Sequence, residues 1–253
     1  MKEKIELNSE AVTLRKSLGE DSMSPIEIIS IVQNILNLTL TFIPMSNRIS
    51  GMCIKIDDEE KLIAVNSTLS YGRQRFTIAH ELYHLFFQSN FKSVICGKDI
   101  ESESDDEERN ADSFASFFLA PYDGLLFFIK EKLEILNRDF TIYDIVRIEQ
   151  FFGMSRQATL YRLISEKFIT PDYATNFKQN VINSARQFGY DDKLYIPTSK
   201  DKQYFTIGNY INLAECLKTS AKISKGKFEE YLLEAYRSDI VFPTSTPGDQ
   251  NYD

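Results

Sequence analysis

The 253-residue chain has 43% hydrophobic and 26% charged residues, the composition of an ordinary globular protein rather than of a disordered or fibrous one. Its net charge of −8 comes mainly from residues 99–112, which hold eight acidic side chains and one arginine. The rest of the chain therefore lacks the basic excess of a nucleic-acid-binding protein. Three dispersed cysteines, polar interruptions in every long apolar run and an N-terminus without an apolar signal core predict a cytoplasmic protein.

The first elements of the chain are predicted to be helical. Residues 1–24 carry a short, mixed helical pattern and form a lead-in. Ser24, followed by a proline, is typical of a helix start, with the serine as N-cap and the proline in the first turn. The apolar residues that follow at helical spacing are expected to face the core; they are Ile26, Ile29, Val32 and Leu36.

Two β-strands are predicted next. Apolar and β-branched residues dominate the segments 49–56 and 61–66. The charged run 57–60 between them is typical of a turn. An ordinary hairpin that covers the following helix is one interpretation of this pattern, and it does not exclude a binding role for the strands.

The two histidines of the chain lie four residues apart, in the pattern H-E-x-x-H. Residues 75–88 around them contain no proline or glycine and carry an apolar stripe, so we predict a helix with one buried face. Residues four apart share one side of a helix, which lets His80 and His84 bind a single zinc ion. Glu81 is then placed to act as a general base toward water. The alternative is a chance match, which the absence of other histidines weakens.

A second helix is predicted over 105–119, because Ser104 and Glu107 form a capping-box pattern and a proline follows the last apolar residues. Glu108 and Asp112 lie one turn apart on this helix, among small apolar residues that allow another helix to approach. We predict Glu108 as the third metal ligand and Asp112 as the acceptor that orients a metal-binding imidazole. A solvated acidic helix start is the alternative, and it explains the preceding acidic run better than these two residues.

A helix-turn-helix outline spans residues 141–165. It consists of an apolar helix, a turn at Gly153, Ser155 as N-cap and a second helix. The residues of the second helix that could face DNA are Arg156, Gln157, Thr159 and Arg162. The segment carries little net positive charge, so DNA binding is the weaker interpretation and packing on the preceding helices the stronger one.

The C-terminal part of the chain is less regular. Two helices are predicted there, at 209–218 and 224–237, the second capped by Ser224. We interpret 171–242 as a mostly helical accessory region and 243–253, which is polar and contains proline, as a disordered tail.

Taken together, these motifs resemble those of the ImmA/IrrE metallopeptidases, gluzincin-like zinc enzymes of bacteria and their mobile elements. The resemblance rests on segment 75–84, on Glu108-x-x-Ala-Asp112-x-Phe-Ala and on a following Leu-x-Pro, and it extends over about 25–171. It implies two histidines and a glutamate as zinc ligands and a second glutamate as general base; these residues are His80, His84, Glu108 and Glu81.

The resemblance also implies a fold and a function. The expected fold is an α+β, zincin-like (thermolysin-like) catalytic domain over 25–170, with a small twisted β-sheet, the H-E-x-x-H helix and helical accessory segments. The expected activity is zinc-dependent, site-specific cleavage of a regulatory protein, such as a helix-turn-helix repressor of a mobile element or stress response. The substrate would lie as an added strand along 49–56 or 61–66. The alternative function is a regulatory protein that binds DNA or a partner, with structural or vestigial zinc.

Two features of the site remain open in the sequence. Relatives usually carry a small residue before the second histidine, whereas this chain has Tyr83, whose bulk is expected to narrow the cleft or contact substrate. Peptide hydrolysis also needs a donor for the oxyanion, which must be another residue if both histidines bind metal. Sequence proximity offers Tyr71, Tyr83 and Tyr122 as candidates without choosing among them.

Overall fold

The chain folds into an α+β structure, as the sequence predicts. The computed structural model describes residues 2–56, 59–89, 93–97, 105–135 and 138–243. Its helices are α1 (Lys4–Ser17), α2 (Ile28–Gln33), α3 (Tyr71–Phe86), α4 (Asp105–Leu119), α5 (Tyr122–Phe127), α6 (Ile142–Phe152), α7 (Arg156–Ser165), α8 (Pro171–Ala174), α9 (Val181–Gln187), α10 (Asn209–Thr219), α11 (Lys225–Glu234) and α12 (Ser238–Val241). A π-helical turn at Phe128–Lys132 continues α5.

One mixed sheet of five strands has the order β4-β2-β3-β1-β5. Its strands are β1 (Leu38–Ile43), β2 (Ile49–Ile56), β3 (Glu60–Asn66), β4 (Ser93–Gly97) and β5 (Phe205–Gly208). β1 and β3 run parallel, and the other neighbours run antiparallel. The strands predicted at 49–56 and 61–66 are confirmed as β2 and β3, and residues 57 and 58 of the turn between them lie outside the described residues. The expectation that substrate adds as a strand along one of them is wrong, because β2 pairs with both β3 and β4, and β3 pairs with both β2 and β1.

Two strands of this sheet follow from long-range contacts rather than from a local pattern. β1 alternates buried and half-buried residues, but it comes directly after an apolar segment that the sequence assigned to a helix. β5 has four residues and pairs antiparallel with β1. The hydroxyls of Thr41 and Thr206, 165 positions apart, are 2.8 Å from each other across this pair. The accessory C-terminal region therefore contributes a strand to the sheet.

The helix start predicted at Ser24 is wrong. α2 begins at Ile28. The N–H and hydroxyl of Ser24 donate to the carboxylate of Asp21, and its carbonyl accepts from Arg15, so that Ser24 belongs to a turn and does not cap a helix. Leu36 lies beyond the helix and is 81% exposed, whereas the other three residues of the predicted apolar face are buried or half-buried.

α3 is the central helix of the fold. It packs on β2 and β3 and also on α4, and residues 77–85 are all buried. The predicted apolar stripe is confirmed by Ile78, Leu82 and Leu85, each at most 3% exposed. α4 has the predicted bounds, while its proposed cap Ser104 lies outside the described residues.

The helix-turn-helix outline is present as α6 and α7. Thr141 and Asp144 form a capping box at the start of α6, and Gly153 ends this helix with φ +64°. The Ser155 hydroxyl accepts a hydrogen bond from the N–H of Ala158 and so caps α7. These local signals lie within a few residues of each other, which is why the sequence predicted this segment well.

The two C-terminal helices are confirmed as α10 and α11. The Ser224 hydroxyl accepts from the N–H of Lys227, as its predicted capping role requires, although α11 ends three residues earlier than predicted. The predicted tail lies outside the described residues from 244 onward. Within the part of the chain that is described, no single helix is long and apolar enough to cross a membrane, although 106–119 and 122–132, bent by 53°, meet that condition together.

Candidate metal site and active-site cleft

The side chains of His80 and His84 converge beside α3. Their Nε2 atoms lie 3.1 Å apart, and both side chains are buried. Glu108 on α4 joins them, with one carboxylate oxygen 3.3 Å from Nε2 of His80 and the other 3.5 Å from Nε2 of His84. The three candidate ligand atoms lie within 4.8 Å of one another, a spacing at which they could hold one metal ion.

α4 brings Glu108 close to α3 because the residues between the helices pack tightly. Ala111 and Ala115 are fully buried and add little bulk. Phe114 is also fully buried, and its ring centroid lies 5.1 Å from that of Phe87, directly after α3. The sequence predicted this close approach from the small residues around Glu108.

Titration of these groups favours the forms that bind a cation. Burial lowers the pKa of His84 well below its usual value, and the charge of His80 lowers it further, so that His84 is neutral at pH 7. Burial alone would raise the pKa of Glu108, but the hydrogen bond to His80 and the charges of both imidazoles hold this pKa below its usual value. Neutral imidazole and ionised carboxylate are the forms that ligate zinc.

Each imidazole has a partner at its other ring nitrogen. Nδ1 of His80 lies 2.9 Å from Oδ1 of Asp112, which the sequence proposed for such a contact. Nδ1 of His84 lies 2.5 Å from Oε1 of Gln88, a residue that the sequence analysis did not single out. Its position four residues after His84 was the available signal. These contacts fix the ring orientation in which Nε2 faces the shared centre.

Replacing Gln88 with leucine is expected to weaken Zn²⁺ binding by roughly 10- to 100-fold, because the His84 ring loses the acceptor that orients it. Competition with a chromophoric chelator measures this affinity. Gln88→Glu retains an acceptor and serves as the matched control, with affinity close to that of the wild type. Equal affinity of Gln88→Leu and wild type would show that Gln88 does not position the ring.

Glu81 is fully buried where α3 packs on β2. The Cβ that any other residue would add at Gly51 of β2 would lie 3.3 Å from Oε1 of Glu81. It would also lie 2.5 Å from Cγ2 of Thr77 and 2.8 Å from the carbonyl oxygen of Ala64. The glycine at position 51 therefore allows β2 to pass close to the Glu81 carboxylate. The strand in turn restricts the position of that carboxylate.

Gly51→Ala is expected to destabilise the protein by about 1–3 kcal/mol, since the added methyl group overpacks the contact between β2 and α3. For a chain of this size, this corresponds to a decrease in Tm of about 2–4 °C per kcal/mol, measurable by calorimetry. Gly226 in α11 is the matched control, because a Cβ there meets nothing within 4 Å. Gly226→Ala should leave Tm unchanged or raise it. Equal Tm values for Gly51→Ala and wild type would refute the packing argument.

A cleft of about 380 Å³ opens beside the candidate ligands. α3 lines it with Arg73, Phe76 and Thr77, which share a helix face with His80. The region of α7 contributes Ser155, Gln157 and Tyr161. The sequence did not assign these residues to a cleft, although the spacing 73, 76, 77, 80 was a usable signal for the α3 face.

A family comparison agrees with this arrangement. The family model of M78 peptidases, described as the IrrE N-terminal-like domain, matches residues 36–164, just over half of the chain. The chain belongs to this family. The resemblance to the ImmA/IrrE peptidases is therefore confirmed, and the matched range contains the candidate ligands and the cleft-lining part of α7. A comparison with curated proteins gives no match.

In this M78 peptidase, Tyr83 does not line the cleft, so the expectation that it narrows the cleft or contacts substrate there is wrong. Its side chain is fully buried, with the ring 5.7 Å from that of Phe114 on α4. The hydroxyl donates to Oε2 of Glu107 at 2.7 Å. Burial and this contact raise the pKa of Tyr83, which keeps the hydroxyl a donor. Tyr83 therefore links α3 to the residue that precedes Glu108.

None of the tyrosines proposed as oxyanion donors lines the cleft formed by the described residues. Tyr83 is buried between helices, Tyr71 lines a separate pocket, and Tyr122 lies 39% exposed at the start of α5. Tyr161 of the M78 peptidase does line the cleft and is 51% exposed. The sequence did not single out Tyr161, because its place in the cleft depends on how α7 packs.

The structure buries three of the four residues that the sequence offered for DNA contacts. Arg156 and Arg162 form ion pairs with Glu149 and Glu166, and Thr159 is 1% exposed. Gln157 is exposed, but it lines the cleft. The DNA-binding alternative thus loses most of its proposed contacts, and α7 instead lines the peptidase cleft.

Proposed function

We propose that this M78 peptidase is a zinc-dependent endopeptidase with a zincin-like, thermolysin-like catalytic domain. The observation that carries the proposal is the convergence of His80, His84 and Glu108 beside a cleft. Two imidazoles and one carboxylate are a common donor set of catalytic zinc sites, which keep a fourth position open. The partners of both imidazoles and the open cleft fit this type of site rather than a closed structural one.

The residues of the chain have distinct roles in the proposed hydrolysis. Zinc, when bound, supplies a Lewis acid that lowers the pKa of water and polarises a peptide carbonyl. Glu81 takes the proton of the attacking water and delivers it to the leaving amine. Asp112 and Gln88 hold the two imidazoles in place. We assign the Tyr161 hydroxyl as the donor that stabilises the tetrahedral oxyanion.

Tyr161→Phe is expected to lower kcat by about 10²-fold without changing zinc content, because the variant lacks only the donor for the oxyanion. Steady-state kinetics on a cleaved peptide, together with metal analysis, measure both quantities. Tyr143 on α6 lies outside the cleft, is 43% exposed and provides the control Tyr143→Phe, which should behave as wild type. A kcat of Tyr161→Phe equal to that of the wild type would remove Tyr161 from the mechanism.

The substrate we propose is a regulatory protein in the cytoplasm, in particular a helix-turn-helix transcriptional repressor of a mobile element or stress response. The family resemblance supports this choice. The cleft supports narrow specificity, since about 380 Å³ lies near the lower end of the volumes of ligand sites and accommodates a short segment of extended chain.

Co-expression with candidate repressors encoded nearby, followed by mass spectrometry of the intact proteins, tests this function. The expected result is one dominant cleavage that requires zinc, is inhibited by a chelator and is lost in Glu81→Gln. A purified wild-type protein that takes up no zinc, or a cleavage that persists in Glu81→Gln, would contradict the proposal.

A further inference from the structure

Arg73 is a cation in the cleft, and the described residues offer its side chain no partner. It is half-buried in the first turn of α3, and within the described part of the chain it has no ion pair and no side-chain hydrogen bond. Arg75, two residues later, is 2% exposed. Its guanidinium donates to the carbonyls of Gly153 and Ile26 and pairs with Glu27 at 3.2 Å. Arg75 therefore stabilises the fold, whereas Arg73 is available to a ligand.

The placement of Arg73 is unfavourable for the helix that carries it. The N-terminal end of a helix carries a partial positive charge, which a cation in the first turn opposes. α3 has no acidic residue in its first turn that would offset this repulsion. A cation that opposes the helix dipole and has no partner among the described residues is more simply explained by a function than by stability.

The distance from Arg73 to the candidate metal site corresponds to a short piece of substrate. Arg73 and His80 line the same cleft and are seven residues apart on α3. At about 1.5 Å per residue, this spacing is roughly 10 Å along the helix. An extended peptide advances about 3.3 Å per residue, so the backbone separation of Arg73 and His80 corresponds to about three substrate residues. The long arginine side chain makes about two or three residues from the bond at the metal the expected range.

The charges along the cleft favour an acidic substrate side chain at this point. Acidic side chains line the cleft at Glu108 and Asp112, close to His80. The α7 region contributes the uncharged Ser155 and Gln157, and a Cβ on Gly72 would lie 2.9 Å from the backbone nitrogen of Ser155. The α7 side of the cleft, which the start of α3 approaches, is therefore uncharged among the described residues. A half-buried guanidinium in such a place binds a carboxylate through two charge-assisted hydrogen bonds.

We propose that Arg73 is a specificity-determining residue that selects substrates with aspartate or glutamate two or three residues from the scissile bond. This inference rests on the proposed peptidase function. It adds a substrate class to that function: proteins with an acidic residue near an accessible extended segment.

A mixed-sequence peptide library in which acidic, amide and basic residues are equally frequent tests the inference on the full-length, zinc-loaded protein. Mass spectrometry of the products is expected to show one enriched position, two or three residues from the cut. At that position, acidic residues should be roughly tenfold more frequent than amide residues. Arg73→Gln should abolish this preference, and Arg73→Glu should invert it toward lysine and arginine. Lys130→Glu makes the same charge change at an exposed position outside the cleft and should keep the wild-type preference.

A binding measurement separates recognition from catalysis. In the Glu81→Gln background, fluorescence anisotropy compares the best peptide with its acid-to-amide counterpart, and the acidic peptide is expected to bind roughly tenfold more tightly. Arg73→Gln should remove this difference in affinity. If Arg73 had only a structural role, the substitution would weaken the binding of both peptides equally.

The possible outcomes distinguish the two proposals. Cleavage by the wild type without acidic preference, or the same preference in Arg73→Glu, would overturn the role of Arg73 and leave the peptidase intact. A zinc-loaded wild type that cleaves neither the library nor any candidate repressor would overturn the peptidase proposal, and the role of Arg73 with it.

Discussion

Replacing Glu81 with glutamine is expected to lower kcat by roughly 10³- to 10⁴-fold while zinc binding is retained. Glutamine has the shape of glutamate but cannot take a proton from the attacking water. Glu81 is not one of the three candidate ligands, so the metal affinity should change little. The side chain is fully buried beside β2, and a substitution that preserves its volume therefore disturbs the packing least.

Two measurements check this expectation on the same samples: kcat on a cleaved repressor or peptide, and zinc content by elemental analysis. Glu81→Asp serves as the comparison, since it retains the base but moves it away from the reacting water, and it should lie between wild type and Glu81→Gln. Wild-type kcat in Glu81→Gln would eliminate the general-base role. Loss of zinc from this variant would assign Glu81 to the metal site instead.

Those parts of the structure that depend on local spacing could be predicted from the sequence. The H-E-x-x-H helix, the bounds of α4, the glycine turn between α6 and α7 and the caps at Ser155 and Ser224 all rest on residues within one or two helical turns. The proximity of Glu108 to the histidines was predictable for a related reason: acidic residues recur inside an otherwise apolar helix, where a solvated face alone does not explain them.

The direction of Tyr83 could not be predicted, because it depends on where a second helix packs. Residue 83 lies on α3 about 100° from residue 84 and about 60° from residue 80. From the sequence alone, its side chain is equally compatible with the cleft and with a neighbouring helix. The packing of α4 decides the outcome, and it turns the Tyr83 hydroxyl toward Glu107.

Charge counting also failed to distinguish a surface cation from a buried one. Arg156 and Arg162 looked available for DNA in the sequence, yet both are at most 4% exposed and neutralised by glutamates. No sequence pattern marks Arg73, yet among the described residues it is the arginine that lines the cleft. Which arginine is buried depends on how α3, α6 and α7 pack together. This packing cannot be predicted from residues that are close to each other in the sequence.

Replacing Glu108 with glutamine is expected to weaken zinc binding by more than about 10²-fold, a larger effect than the loss of an outer hydrogen-bond partner. Glu108 is the anionic member of the group, and its carboxylate oxygens lie within 3.5 Å of both imidazoles. Without it, only the two imidazoles of α3 remain of the three candidate ligands, and two protein ligands are fewer than the three that a catalytic zinc site uses.

Thermal unfolding with and without zinc measures the effect independently of any substrate. Zinc at 100 times its Kd should stabilise the wild type by about 2.7 kcal/mol, since it binds the folded state. At about 2–4 °C per kcal/mol, this is an increase in Tm of roughly 5–10 °C. Glu108→Gln should show almost no increase at the same zinc concentration.

Glu107→Gln is the matched control, because Glu107 is the adjacent glutamate on α4 and contacts Tyr83 instead of the histidines. A glutamine there still accepts the hydrogen bond of the Tyr83 hydroxyl, so the zinc-dependent increase in Tm should be that of the wild type. An undiminished increase in Glu108→Gln would exclude Glu108 as the third ligand. Asp112, 2.9 Å from Nδ1 of His80, would then be the carboxylate to test, through Asp112→Asn.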